Sequence, residues 1–485
     1  MAATIKKNFA YHLTLTLSGL LFSLITFPYA SRILLADGIG QVEYFNSIIT
    51  YITLFTCIGI PLYAVRETAR VRSDRKELSR VTFELMLLLG GLAVLGYVAV
   101  GIICLVVADV AANIPLFLLL SISIAANAIG VEWFYQGTED FKYITLRGLA
   151  VKVIALVWLL AFVRERADLI PYAGYLVVST FGGNIFNFVR LRRFVSLREL
   201  RLRELRPLRH LKPALRIFAL NLTISIYAGL DTVMLGAITG EASVGYYVAA
   251  TKATRILLGV AMSLGSVMLP RLSHLVERGE MEQFRELAQK GVNFVLALCF
   301  PLTAGLLAAA PVIIHLLSGY SYEPSIMTLR LLSPIIVIIS LSNIIGMQIL
   351  YPQGKENLVI ISTAVGAAVN FSLNLILIPH YAQYGAAFAT TVAEVCVTTT
   401  QLIIGARYIP IKIFSRGFID VFAGALIAGA VCYGLIGIIP WGNIASLAVC
   451  GAVCPAVYIG FLLLRKYPLA GEVLVMVKSK IKGKG

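Results

Sequence analysis

The sequence predicts an all-α integral membrane protein of about 14 transmembrane helices. They form two six-helix lobes related by a pseudo-two-fold axis along the membrane normal, plus two extra C-terminal helices. Three observations predict this. Of the 485 residues, 59% are hydrophobic and only 14% are charged, and the mean hydropathy of +0.86 lies far outside the soluble range. Apolar runs of roughly 20 residues, enough to cross a hydrocarbon layer about 30 Å thick at about 1.5 Å per helical residue, recur along the whole chain. Lys and Arg gather in alternate gaps between those runs.

In order, the runs cover residues 9–27, 42–63, 81–107, 113–135, 147–163, 170–189, 214–236, 244–268, 291–315, 327–351, 358–378, 384–405, 417–438 and 444–464. The first follows Lys6 and Lys7. Its apolar stretch is longer than the core of a secretory signal, which makes it a retained span.

The gaps on one side carry Arg66, Arg70, Arg72, Arg75, Lys76 and Arg80, then Lys142, then the stretch Arg190–Lys212, then Arg271, Arg278, Arg285 and Lys290, and finally Lys355, Arg407, Lys412 and Arg416. The gaps on the other side are short and nearly neutral. This asymmetry predicts a multi-pass membrane protein with an even number of spans and both termini in the cytoplasm, and the basic tail KSKIKGKG agrees. The net charge of +16, from 41 Lys plus Arg against 25 Asp plus Glu, follows from orientation and from attraction to anionic membrane lipids. Nucleic acid is not expected as a partner, because the cations are spread over many short loops without a reading module.

The densest basic stretch, RLRRFVSLRELRLRELRPLRHLK, starts at Arg190 and holds nine Lys or Arg and two Glu. Leu197, Leu200, Leu202 and Leu205 interleave with Arg, the pattern of an amphipathic helix on the membrane face, which Pro207 and Pro213 are expected to break. A long connector in mid-chain invites a search for repeats. The segment SRILLADGIGQVEYFNSIITYITLFTCIGI from Ser31 matches in pattern DTVMLGAITGEASVGYYVAATKATRILLGV from Asp231, and each is followed by a charged amphipathic piece. Six spans per copy keep both copies in one orientation. The chain therefore divides into an N-lobe (1–190), a basic linker (191–213), a C-lobe (214–405) and a terminal region with the last two spans (406–485).

Two facing lobes make a cleft at mid-membrane, which is a transporter's geometry. An ionisable residue inside a span costs about 2.5–3.5 kcal/mol and so needs a partner, a wet cavity or a role. Those present are Arg32, Glu84, Glu132, Lys152, Asp231, Lys252, Arg255, Arg330 and Glu394. Glu84 and Arg330 lie near span ends, where snorkelling to the interface is expected. The remainder leans cationic. Arg32 follows FPYAS, Lys152 lies early in span five, and Lys252 and Arg255 share one face of span eight. Arg32, Lys152, Lys252 and Arg255 are therefore the candidate substrate-binding residues, and cations in a cleft select an anion such as phosphate.

No cofactor or metal-ligand spacing is evident. The seven Cys lie inside apolar runs, with Cys450 and Cys454 read as small packing residues, and the five His are scattered. YPQGKEN lacks the other elements of a phosphate-binding loop, so coupling is expected from an ion gradient, Na⁺ or H⁺, or from the membrane potential.

The end of the first span, EWFYQGTEDFKYITLRGLAVK from Glu132 and VGYYVAATKATRILLGVAMSLGSVMLPRLS from Val244 resemble the polysaccharide-biosynthesis, O-antigen-type (Wzx-like) flippases of the multidrug/oligosaccharidyl-lipid/polysaccharide exporter superfamily. The resemblance covers nearly the whole chain. It implies a flippase that carries an undecaprenyl-diphosphate-linked oligosaccharide across a bacterial inner membrane by alternating access, working with a polysaccharide polymerase and a chain-length regulator. It also implies that Trp133, Phe134, Tyr135, Tyr246 and Tyr247 stack on sugars or pack. Relatives that flip the peptidoglycan lipid precursor hold a cation at positions matching Asp231, Asn370, Asn374 and Thr390. Asn374 stands where those relatives often carry a carboxylate, and Glu394, one turn beyond Thr390, is the compensating candidate. Interhelical hydrogen bonding is the alternative role for these amides and hydroxyls.

Two other functions fit the sequence less well. A multidrug or cation antiporter of the same superfamily calls for a net negative cleft, whereas the candidates here are mainly positive. A membrane glycosyltransferase or polymerase needs carboxylates together on a sizeable outward loop, whereas Asp37, Asp109, Asp168, Glu241 and Glu323 stand isolated on short gaps. Catalysis is not expected.

Overall fold

A computed structural model describes residues 2–196, 204–414, 416–438 and 442–468. Among them the secondary structure is helical without strands. The α-helices are α1 (Ala2–Cys57), α2 (Ile60–Val71), α3 (Arg75–Val106), α4 (Ala108–Ala112), α5 (Ile114–Ile129), α6 (Glu132–Gly137), α7 (Phe141–Phe162), α8 (Leu169–Leu191), α9 (Leu211–Thr239), α10 (Glu241–Glu277), α11 (Met281–Ser318), α12 (Pro324–Leu332), α13 (Ile335–Asn343), α14 (Glu356–Ile404), α15 (Arg416–Ile438) and α16 (Asn443–Leu464).

Each of the fourteen apolar runs lies mainly on helix, with short breaks such as Ile58–Gly59, Gly130–Val131 and Ser333–Pro334. Among the described residues, ten helices are long and apolar enough to cross a membrane. Two of these are double. The 49 residues of α14 would reach about 73 Å if straight, more than twice the hydrocarbon thickness, and the helix breaks at Ala382 (φ 45°, ψ −128°), just past Pro379. The 56 residues of α1 break at Leu35 (φ 57°, ψ −174°). The tenth run is carried by α12, α13 and a π-helical turn over Ile344–Leu350. Large apolar side chains such as Leu105 (87% exposed) and Leu464 (84%) lie bare on the helix surfaces, as lipid-facing residues do.

Local chemistry sets the helix ends. The Asp74 carboxylate accepts from the backbone N–H of Lys76 and Glu77 and so starts α3, and Asp140 accepts from Tyr143 N–H and starts α7. Pro61, Pro115 and Pro324 occupy the first turns of α2, α5 and α12, where a missing N–H costs nothing. The same holds for Pro207 and Pro213. Pro207 opens a 3₁₀ turn and Pro213 sits in the first turn of α9, so both begin helices rather than break one. Residues 197–203 of the expected amphipathic helix, and the basic tail, lie outside the described residues.

The chain divides into two compact units, Met1–Gly245 and Tyr246–Gly485. In the first, α1 packs on α3, α5 and α7, α8 packs on α5 and α7, α2 packs on α3 and α6, and α9 packs on α1 and α2. This last packing places the unit boundary inside α10. In the second, α11 packs on α12, α13, α15 and α16, and α14 on α12 and α13.

Within the first unit the repeat becomes visible in the backbone. Leu35 and Gly240 (φ 88°, ψ −178°), an interval of 205 residues (240 less 35), adopt nearly the same left-handed, extended conformation. The turns that follow touch reciprocally. A Cβ on Gly40 would overlap the Glu241 carbonyl, and a Cβ on Gly245 would overlap the Ala36 carbonyl. Ala36 and Glu241, like Gly40 and Gly245, are separated by the same interval, so position i of one turn meets position j of the other and j meets i, the mark of a local two-fold axis.

Candidate functional site

The four cations proposed for substrate fall two in each unit. Arg32 is exposed on α1, between Pro28 and the break at Leu35, with Nη1 donating to the Pro28 carbonyl at 3.3 Å. Lys152 of α7 is half-buried, and its ammonium donates to Ser18 Oγ at 2.7 Å and to the Leu15 carbonyl at 3.1 Å, which ties α7 to α1. On α10, Lys252 is half-buried and Arg255 exposed.

The cation-coupling candidates are also divided. Asp231 of α9 is buried in the first unit, whereas Asn370, Asn374, Thr390 and Glu394 lie on α14 in the second. The two arms of α14 pack antiparallel, since Gly366 faces Ala393 and Val397 and Gly385 faces Leu377. That register lays Asn370 and Asn374 against the stretch bearing Thr390 and Glu394. Asn374 Nδ2 donates to Asn370 Oδ1 at 3.2 Å, and both residues are wholly buried. Tyr247 OH meets Thr390 Oγ1 at 3.2 Å. Nearby, Thr391 and Thr398 donate to the Leu331 and Ile338 carbonyls, fixing α14 on α12 and α13. Oxygen atoms of carboxylate, amide and hydroxyl type are the donor set that suits Na⁺, so these side chains fit the role in chemistry.

The remaining intramembrane charges are structural. Glu132 pairs with Arg147 at 2.7 Å. Arg330 lies 6.0 Å from the Tyr433 ring centre. Glu84 does not snorkel. Its side chain is 1% exposed and receives Arg206 N–H at 2.8 Å, Arg209 Nη2 at 2.6 Å and His210 Nε2 at 2.8 Å. Tyr63 O–H completes the node on His210 Nδ1 at 2.9 Å. Burial depresses the His210 imidazole below its ordinary value, against the opposing pull of Glu84. A neutral ring with its proton on Nε2 satisfies both partners. The end of the basic linker is thereby fastened to α3.

Trp133, Phe134 and Tyr135 are 3%, 0% and 0% exposed and form the core of the basic end of the first unit, which closes them to sugar. Tyr246 packs edge-on against Tyr322. The cysteines of the described chain are free, and Cys432, Cys450 and Cys454 pack between α15, α16 and α11.

Sequence reasoning missed the Glu84–His210 node, because its partners lie more than a hundred residues away, although Arg and His adjoining Pro207 are a signal of a capped, folded linker. It also missed the buried amides Gln348 and Gln401. Gln401 Oε1 accepts from Ser342, and Gln348 sits on the π-helical turn, a feature frequent at functional sites.

A model of the family "Polysaccharide biosynthesis protein" matches residues 5–276, and one named MatE matches 217–376. The chain is 23% identical to a protein of Escherichia coli K12 described as "Putative O-antigen transporter", over 82% of this chain and 96% of that one, and 24% identical to its namesake of Shigella dysenteriae, over 82% and 99%. Among solved structures, the lipid II flippase MurJ in an inward closed conformation superposes with a TM-score of 0.76 at 15% identity, covering 95% of this chain and 99% of that one. An inward-facing multidrug resistance MATE family transporter of the MOP superfamily gives 0.62 at 15% identity, covering 80% and 94%. The reported relatives are transporters and flippases rather than catalysts. With more than half its length matched by the family model, the chain belongs to the polysaccharide biosynthesis protein family, and its helices are laid out as in these transporters.

Proposed function

We propose that the chain is a flippase of the multidrug/oligosaccharidyl-lipid/polysaccharide exporter (MOP) superfamily that carries an undecaprenyl-diphosphate-linked oligosaccharide from the cytoplasmic to the outer leaflet of a bacterial inner membrane, for surface polysaccharide export. The observation that carries the reading is the similarity to O-antigen transporters over nearly their whole length. Arg32, Lys152, Lys252 and Arg255 are the residues proposed to meet the pyrophosphate, since guanidinium and ammonium groups recognise phosphate oxygens. Asp231, Asn370, Asn374, Thr390 and Glu394 are proposed to bind the coupling ion, Na⁺ or H⁺, whose gradient drives alternating access. A polysaccharide polymerase and a chain-length regulator are the partners this reading implies downstream.

The MatE match over 217–376 favours a second reading, a cation or drug antiporter. Export of surface polysaccharide in a strain lacking its own flippase separates the two. The native chain restores export, Arg32→Ala abolishes it at unchanged membrane abundance, and Asp231→Asn blunts its dependence on the ion gradient. Resistance to cationic drugs without export would instead establish the antiporter.

A further inference from the structure

Midway along the second arm of α1, between the break at Leu35 and Cys57, lies a polar strip that neither set of site residues includes. Asn46, Ser47 and Thr50 follow Glu43 by three, four and seven residues, which places all four within about 100° of the helix circumference. Another face of the same arm, with Val42, Phe45, Ile49 and Thr53, is buried. Thr50 is exposed, and Glu43, Asn46 and Ser47 are half-buried.

Ser47 and Thr50 donate their hydroxyl protons to the Glu43 and Asn46 carbonyls, one turn back along the helix, at 2.8 and 2.7 Å. Their oxygens are left as acceptors. The strip thus offers acceptor oxygens from a carboxylate, an amide and two hydroxyls, and it carries no cation. Glu43 and Thr50 lie eight and fifteen residues past the break at Leu35, about 12 and 22 Å along the helix and inside the second apolar run. A carboxylate and an amide facing acyl chains at that depth are costly, so this face borders water-filled space.

The repeat supports the same conclusion. The interval of 205 residues (245 less 40) that relates Gly40 to Gly245 takes Asn46, Ser47 and Thr50 to Thr251, Lys252 and Arg255. Exposure follows the register. Asn46 and Ser47 are half-buried as Thr251 and Lys252 are, Thr50 is exposed as Arg255 is, and Ile49 is buried as Thr254 is. Glu43 departs from it, standing where the second copy has the buried Val248. The two copies therefore carry equivalent faces of opposite chemistry, cationic on α10 and acceptor-rich on α1.

We propose that the strip on α1 binds sugar hydroxyls of the lipid-linked glycan, whose diphosphate is left to the cations. This rests on the function proposed above. Sugar hydroxyls are donors that carboxylate, amide and hydroxyl oxygens accept, and the rise of about 10 Å from Glu43 to Thr50 matches the length of a disaccharide. Diphosphate itself is repelled by Glu43. A metal ion needs its oxygen ligands gathered around one point, whereas these are spread along two turns.

The test is native mass spectrometry of the full-length protein titrated with undecaprenyl diphosphate, either bare or carrying a disaccharide of N-acetylglucosamine. The native chain retains the disaccharide lipid at about tenfold lower concentration than the bare one, and Asn46→Leu/Thr50→Val erases that gap without lowering the melting temperature. Glu43→Gln narrows the gap to about threefold, because the amide keeps one acceptor. Ser47→Lys/Thr50→Arg, which copies the α10 face onto α1, tightens retention of the bare lipid and also erases the gap. Equal retention of the two lipids by the native chain overturns the proposal and leaves the transport reading standing, as does a gap that survives both double variants. Retention of neither lipid overturns the transport reading and the proposal with it. If Glu43→Gln leaves the gap intact and instead removes a dependence of retention on Na⁺, the strip belongs to the coupling ion and the proposal falls.

Discussion

The two ends of the first unit are held together by opposite means. At the end bearing the two repeat turns, backbone meets backbone. Gly40 lies on the Glu241 carbonyl and Gly245 on the Ala36 carbonyl, with no room for a side chain. At the basic end, a buried carboxylate gathers the linker, with Glu84 bonded to Arg206, Arg209 and His210. The first contact depends on shape and is indifferent to pH and salt. The second depends on charge and titrates. One end of the unit is thus joined by packing and the other by electrostatics.

The sharpest way to break the contrast is Glu84→Ala, which leaves the Arg206 N–H and His210 Nε2–H without their acceptor. The expected cost is about 1–3 kcal/mol, the penalty of unpaired buried donors, seen as a fall in melting temperature, while Glu84→Gln loses less because it keeps an acceptor. At the other end, Gly40→Val and Gly245→Val drive a side chain into a facing carbonyl and are expected to cost roughly 1–3 kcal/mol each. As the two contacts are reciprocal, the double variant is expected to cost less than the sum of the singles, because the first substitution has already parted the turns.

Smaller and opposite in sign is Leu35→Gly. Leu35 holds a conformation that its counterpart Gly240 adopts freely, and relief of that strain is expected to stabilise the protein by about 1 kcal/mol. Gly240→Leu is expected to destabilise it. If both changes are neutral, the repeat turns are not equivalent.

The smallest effect separates the ends by pH. His210 has its imidazole depressed in the docked linker, chiefly by burial. Docking is then fully favourable above the ordinary imidazole value, about 6.5, and weakens as pH falls below it, because the undocked ring takes up a proton more readily. Hydrogen exchange of residues 204–212 is expected to speed up below that pH in the native protein and to lose this dependence in His210→Gln. Exchange in the turns at Leu35 and Gly240 is expected to show no matching step.

Much of this architecture is legible in the sequence. Every apolar run became helix, because a stretch of that length in lipid satisfies its backbone in no other way as a single segment. The repeat was visible as pattern, yet the break at Leu35 was not, since leucine carries no signal for a left-handed backbone and only its partner Gly240 does. The prolines at 207 and 213 were misread because the same residue that ends a helix from within begins one from its first turn. Glu84 looked like an interfacial acid because what holds it comes from the far side of the linker. The proposed cations Arg32, Lys152, Lys252 and Arg255 were nameable from chemistry alone, but their surroundings were not: Lys152 turned out to bind Ser18 and the Leu15 carbonyl of α1.

The most direct test of the central claim uses the purified protein in lipid vesicles with a fluorescent undecaprenyl-diphosphate oligosaccharide, following the share of label reachable by a quencher added outside. Under an imposed Na⁺ or H⁺ gradient, the native protein is expected to move the label between leaflets, and Arg32→Ala is expected to leave it where it began. Label that stays put with the native protein, or moves equally well with Arg32→Ala, would contradict the account.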